Sequence, residues 1–155
     1  MAEAAQESNQ PLFNVEKIYV KDLSLEIPHA PAIFLERESP QIDVQLNTNA
    51  AAIEGDIYEV TITNTVTAKI GEKVMFLIET KQAGIFRLSN LPKDDIEPVL
   101  AVMCPNILFP YLRELISNIS VRAGFPPVML NPVNFDMIYQ QHKQEQSKAA
   151  KVTTH

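Results

Sequence analysis

The sequence predicts an α+β fold, a four-stranded antiparallel sheet made by the first half of the chain and helices contributed by the second. Three observations predict it. Apolar and polar residues alternate with period two in successive runs before Thr80, the pattern of half-buried strands. Gly71-Glu72 separates the last two of those runs as a two-residue hairpin turn with glycine first. After Cys104 the apolar residues recur at three- and four-residue steps instead, which is a helical period.

The chain has 155 residues and 46% hydrophobic content, one domain's worth, and a chain of that size buries roughly 68–70% of its unfolded surface. Residues 1–11 are small, polar and acidic without periodicity, and a disordered lead-in is expected there. From Phe13 to Ile27 the alternation places Phe13, Val15, Tyr19, Leu23, Leu25 and Ile27 on one face. Lys17 and Lys21 interrupt that face, so the strand is expected to bend or bulge. Pro28, Pro31 and Pro40 then exclude a central strand or a regular helix, leaving a long crossover loop with Phe34 as its aromatic anchor.

Ile42, Val44 and Leu46 alternate with polar residues to make the second strand. The third carries Tyr58, Val60, Ile62, Val66, Ala68 and Ile70 on one side, interrupted by Asn64, with Glu59 and threonines on the other. The fourth, Lys73 to Thr80, sets Val74, Phe76 and Ile78 opposite Met75, Leu77 and Glu79. Met75 and Leu77 on an otherwise polar face point to a covering subunit or partner.

Asp94 and Glu97 have the spacing of a capping box ahead of a short apolar helix. The stretch Cys104-Pro105-Asn106-Ile107-Leu108-Phe109-Pro110-Tyr111 follows, and it organises the second half of the chain. Pro105 suits a first helical turn, whereas Pro110 removes a donor and clashes with the carbonyl four residues back, a defect of about 3 kcal/mol. A kink or a restart is expected at Pro110. Beyond it Leu112, Leu115, Ile116 and Ile119 form an apolar ridge that must lie on something apolar. Gly124-Phe125-Pro126-Pro127 ends that helix, and Asn134 is placed to cap another that presents Phe135, Ile138, Tyr139 and His142 on one stripe. Past Gln144 no stripe continues, and residues 144–155 are expected to be a disordered tail.

Composition excludes several function classes. A net charge of −6 without a basic run speaks against nucleic acid as the main partner, because phosphate binding needs clustered Lys and Arg. The amino-terminal residues lack the charge and apolar block of a signal peptide, and no run of about 18 apolar residues occurs, so a soluble, cytoplasmic protein without membrane insertion is expected. A glycine-rich phosphate loop, HExxH and GxSxG are all missing. His29, His142 and His155 have no ligand spacing, and the single cysteine, Cys104, completes no metal site. Its apolar neighbours raise rather than lower a thiol pKa. No metal, no cofactor and no enzymatic activity are expected.

The outward sheet face would carry Asp22, Glu26, Glu59 and Glu79. Such carboxylates form either a solvated surface or a docking face on which Leu77 is the apolar anchor and the charges steer a basic partner. Leu77 favours docking. The Phe135, Ile138, Tyr139 stripe is readable as core or as a binding groove.

At Gly84-Ile85-Phe86, at Cys104 through Tyr111, at Arg113 and at Pro132-Val133-Asn134-Phe135-Asp136 the chain resembles the SecB family of bacterial protein-export chaperones. The resemblance extends to Ile18-Tyr19, Lys21-Asp22, Pro28, Tyr58-Glu59-Val60, Thr65-Val66-Thr67-Ala68 and Gly71-Glu72, and so covers residues 12–143 as one SecB-like α+β domain. It implies a four-stranded antiparallel sheet with helices packed on one face, oligomerising as a dimer of dimers in which long helices lie between two eight-stranded sheets. The ridge Leu112, Leu115, Ile116 and Ile119 then becomes an oligomer interface. It also implies an ATP-independent molecular chaperone that binds unfolded precursor proteins in the cytosol, keeps them translocation-competent and delivers them to the SecA translocase motor. By position, Asp22, Glu26, Leu77 and Glu79 resemble the SecA-binding surface. Phe34, Ile42, Val44, Leu46, Phe135, Ile138 and Tyr139 resemble the client-binding groove. Family members commonly carry a tryptophan near Glu38, where this chain reads Glu36-Arg37-Glu38-Ser39-Pro40. The alternative is a non-catalytic oligomeric adaptor that binds a folded partner through its acidic sheet face.

Overall fold

The structure, a computed structural model, describes residues 9–152. Most of the expected lead-in, residues 1–8, and the last three residues of the expected tail lie outside it. Four strands, β1 (Leu12–Glu26), β2 (Gln41–Glu54), β3 (Ile57–Ile70) and β4 (Lys73–Ser89), form one antiparallel sheet in the order β1-β4-β3-β2. β1 and β2 are therefore opposite edges, and the proline-bearing link between them crosses the end of the sheet through a short 3₁₀ turn at Ala32–Leu35.

The β3–β4 hairpin sets the frame, because Ile70 pairs with Lys73 across Gly71-Glu72 and Gly71 takes a φ of 59° that most side chains avoid. From there Val66 opposes Ile78 and Tyr58 opposes Phe86, so the even-numbered residues of both strands share the face that the helices cover. Val60, Ile62, Val66, Ala68, Phe76, Ile78, Phe86 and Leu88 are buried there. Asn64, the polar break in that face, is fully buried and donates Nδ2 to the Gln45 carbonyl at 2.9 Å.

Bulges account for the departures from strict alternation. The β3–β4 register slips between Ala68 and Lys69, and Met75 turns into the core at 6% exposure. Met75 therefore does not share the outward face with Leu77, as the alternation implied. β1 slips twice, between Val15 and Lys17 and between Val20 and Asp22. Each extra residue exchanges the two faces. Ile18 and Val20 thus join Phe13, Val15, Leu23 and Leu25 on the helix side, and Tyr19 moves to the other. β2 and β4 also run further than expected, to Glu54 and Ser89.

Lys93–Arg122 is one helical rod of 30 residues, made of α1 (Lys93–Pro98), a π-turn at Val99–Met103 and α2 (Cys104–Arg122). Its N-cap is Pro92 and no side chain caps it, so Asp94 and Asp95 act as first-turn charges on the helix dipole in place of the expected capping box. The rod continues through Pro110. The irregularity lies upstream, where the Cys104 amide bonds back to Val99, and the wider turn gives room for the Pro105 ring against the preceding carbonyls. Leu108, Leu112 and Ile116 are fully buried on the sheet side, while Met103, Tyr111 and Val121 are exposed. By length and composition alone the rod is apolar enough to cross a bilayer, and part of it is buried within the chain.

After Gly124 an irregular segment leads to α3 (Phe135–Val152). Asn134 caps it as the sequence led us to expect, its Oδ1 accepting the Met137 amide at 3.0 Å. α3 continues well past Gln144, so residues 144–152 are helical and not the disordered segment expected there.

Candidate functional site

The helix side of the sheet is only partly roofed. Ile42, Val44 and Leu46 project from edge strand β2 towards the helices because they oppose Ala68, Val66 and Asn64, yet Ile42 and Val44 stay 47% and 44% exposed. The opposite wall is the segment from Pro127 to Val133, with Phe109 and Ile138. Between the walls lies an open apolar groove of about 540 Å³. A second cavity of about 410 Å³ adjoins it, sharing Ile42, Pro127 and Val128, and is lined by Phe34, Met75, Phe76 and Phe125. Phe34 stacks on Phe125 with ring centroids 5.1 Å apart, and Phe125 leans on Phe76 at 4.8 Å. Glu36 and Glu38 stand at its mouth, Glu36 paired with Lys73 at 3.3 Å.

Of the groove residues expected from sequence, the structure brings together Phe34, Ile42, Val44, Leu46 and Ile138. Phe135 and Tyr139 are buried, Phe135 edge-on against Phe109 at 5.9 Å, so they back the wall rather than line it. The lining segment Pro126-Pro127-Val128-Met129-Leu130-Asn131-Pro132-Val133 was missed. Its apolar residues follow no period, and the signal available was their density among prolines.

The opposite sheet face gathers the acidic set. Glu26 opposes Leu77, Ser24 opposes Glu79 and Asp22 opposes Lys81 across β1 and β4, so Asp22, Glu26, Leu77 and Glu79 share one surface. The three carboxylates are exposed and Leu77 is half-buried. Glu59 lies on the same face but is already engaged, accepting the Tyr19 hydroxyl and, at 2.8 Å, Lys21 Nζ. The Lys21 bond, then the Tyr19 bond, holds the Glu59 carboxyl below its ordinary range. Burial, followed by the adjoining Glu59, pushes the Tyr19 hydroxyl up to about 12.

The expected oligomer ridge divides. Leu112 and Ile116 face the sheet and are fully buried inside the chain's own core, so they offer no surface to another copy; Leu115 and Ile119 remain half-buried. Cys104 is buried, and burial pushes its thiol up to about 12. Among the described residues no cluster of His, Cys, Asp and Glu has the arrangement of a metal site.

Comparison with known proteins identifies the family. A SecB-like chaperone of Mycobacterium tuberculosis, solved in complex with an antitoxin peptide, superposes with a TM-score of 0.65 at 16% identity, covering 79% of this chain and 91% of its own. The fold is that of the SecB-like chaperones. The family model for SecB, described as preprotein translocase subunit SecB, matches residues 6–146. The protein-export protein SecB of Methylobacillus flagellatus is 58% identical over 153 residues, 99% of this chain and 98% of that protein. The Nitrosomonas eutropha protein of the same description is 67% identical over 138 residues, 88% of this chain and 86% of its own. The chain belongs to the SecB family, and its role is that of a chaperone in protein export rather than that of an enzyme.

Proposed function

We propose that the chain is an ATP-independent holdase of the cytoplasm that captures unfolded precursor proteins in its apolar grooves, keeps them translocation-competent and hands them to SecA. The observation that carries this reading is the open groove between Ile42, Val44 and Leu46 and the Pro127–Val133 wall. A client side chain fully desolvated there contributes roughly 1.5–3 kcal/mol before the cost of ordering the client. One groove holds weakly. Several grooves engaged by one extended chain raise avidity by about 10²–10⁴, giving capture that tolerates many sequences and release that proceeds stepwise to a pulling motor.

We further propose a dimer of dimers. Exposed Met103, Tyr111 and Val121 on the long helix, with half-buried Leu115 and Ile119, support it, because a lone subunit would leave these apolar side chains in contact with water. Asp22, Glu26, Leu77 and Glu79 are the proposed SecA surface, with Leu77 as anchor and the carboxylates steering a basic partner. The test is refolding of a precursor with excess protein and no nucleotide. The expected result is a delayed refolding rate, and an unchanged rate overturns the holdase reading. The adaptor reading rests on the acidic face alone; it predicts that Leu77→Arg removes partner binding while unfolded chains are ignored throughout.

A further inference from the structure

The acidic face depends on one inserted residue. β1 reads Val20 against Gln82 and then Asp22 against Lys81, with Lys21 unopposed between them. Strict alternation from Val20 would put Asp22, Ser24 and Glu26 on the helix side. The bulge sends them to the outward side, where Glu26 meets Leu77 and Ser24 meets Glu79.

This bulge is gripped from both faces of the sheet. From the core side, Gln82, 2% exposed, donates Nε2 to the Tyr19 carbonyl at 3.1 Å, just before the inserted residue. From the outward side, Tyr19 and Lys21 both bond the carboxylate of Glu59, which belongs to β3, two strands away. Their reach passes over β4 at Ala83, which opposes Tyr19 and Thr61 and is fully buried. A buried amide and a shared carboxylate, each with its partner in place, fix the register of this edge strand from both sides.

We propose that Tyr19, Glu59 and Gln82 are positioning residues that lock the Lys21 bulge and thereby present Asp22 and Glu26 beside Leu77 for SecA. The inference rests on the acidic sheet face being the SecA surface, as proposed above. The test measures the SecA dissociation constant and the capture of an unfolded precursor in parallel, using the full-length protein and the variants Gln82→Met, Tyr19→Phe, Glu59→Ala, Glu59→Gln and Leu77→Arg. Tyr19→Phe and Glu59→Ala alter the outward side only, and so report even where Gln82→Met fails to fold.

The expected result is that the Tyr19 and Glu59→Ala variants weaken SecA binding by roughly tenfold with client capture unchanged. Glu59→Gln, which still accepts the Tyr19 hydroxyl, recovers part of the loss. A merely structural role would lower both activities together. SecA binding unchanged in the clamp variants while Leu77→Arg abolishes it overturns the positioning role and leaves the docking face standing. SecA binding unchanged in Leu77→Arg as well removes the docking face itself, and the inference with it.

Discussion

Gly124 lies directly under the ring of Phe34, where an added methyl group would come within 2.9 Å of Cε1. The contact couples the end of the long helix to the crossover loop, and so to the cavity that Phe34 and Phe125 line. Gly124 has a φ of 93°, which a side chain also resists. Gly124→Ala is expected to destabilise the protein by about 1–3 kcal/mol and to displace Phe34, with the loss read by urea denaturation. Phe34→Ala in the same background should recover the steric part of the loss but not the backbone part.

Ser120 is the second point at which that helix holds the groove wall. Its hydroxyl donates to the Ile116 and Ser117 carbonyls and accepts the buried Val128 amide at 2.9 Å. Ser120→Ala leaves that amide without its partner, at a cost of about 1–3 kcal/mol. Amide exchange at Val128 should quicken together with the fall in stability, and unchanged exchange would show that the wall is held by other means.

Val44 tests the groove. It is half exposed, so Val44→Asp places a charge in water rather than in the core and the melting temperature should stay close to that of the parent. Client affinity should fall by roughly tenfold or more, since each 1.4 kcal/mol is a factor of ten and a multivalent client loses the contact at every groove. Fluorescence anisotropy of a labelled unfolded precursor reads the change.

The Tyr19–Glu59 pair predicts an alkaline effect. Tyr19 is raised from an ordinary 10.0 to about 12, so its contribution to stability is fully present below pH 10 and is lost as pH rises through 12. Tyr19→Phe should make the alkaline decline in stability shallower. Glu59 works in the opposite sense: its depressed pKa gives a contribution present above the ordinary carboxylate range and lost as pH falls through the lowered value. Denaturation midpoints from pH 3 to 12 for the parent and Tyr19→Phe separate the two limbs.

Cys104 should be inert. It is fully buried and its thiol is raised to about 12, so at pH 8 the thiolate fraction is small and access is closed. Iodoacetamide is expected to label the native protein far more slowly than the urea-unfolded protein, as mass spectrometry would show. Rapid native labelling would overturn the expectation of an inert thiol.

What sequence reasoning recovered and what it missed divide along physical lines. β3 was plain because Val60, Ile62, Val66 and Ala68 all face the core without a register slip before Ala68, and Asn134 was plain because a cap is a local event. Tyr19 and Met75 were assigned to the wrong faces because a bulge changes the side without changing the composition. The second half of β4 was missed because Gln82, Ala83 and Gly84 lack alternation, yet that strand is paired on both sides and needs none. α3 outlasts its apolar stripe because Gln, Glu, Lys and Ala keep a helix wound without one. One groove wall was legible as Ile42, Val44 and Leu46, whereas the facing wall is an aperiodic segment positioned by Ser120 from far along the chain.

The long helix carries prolines at 98, 105 and 110, and each ring deletes an amide from the helical ladder. Phe109 belongs both to that rod and to the groove, so a strut with links omitted at intervals borders the aperture, and any flexing of it would change the width of the opening while the sheet behind keeps its shape.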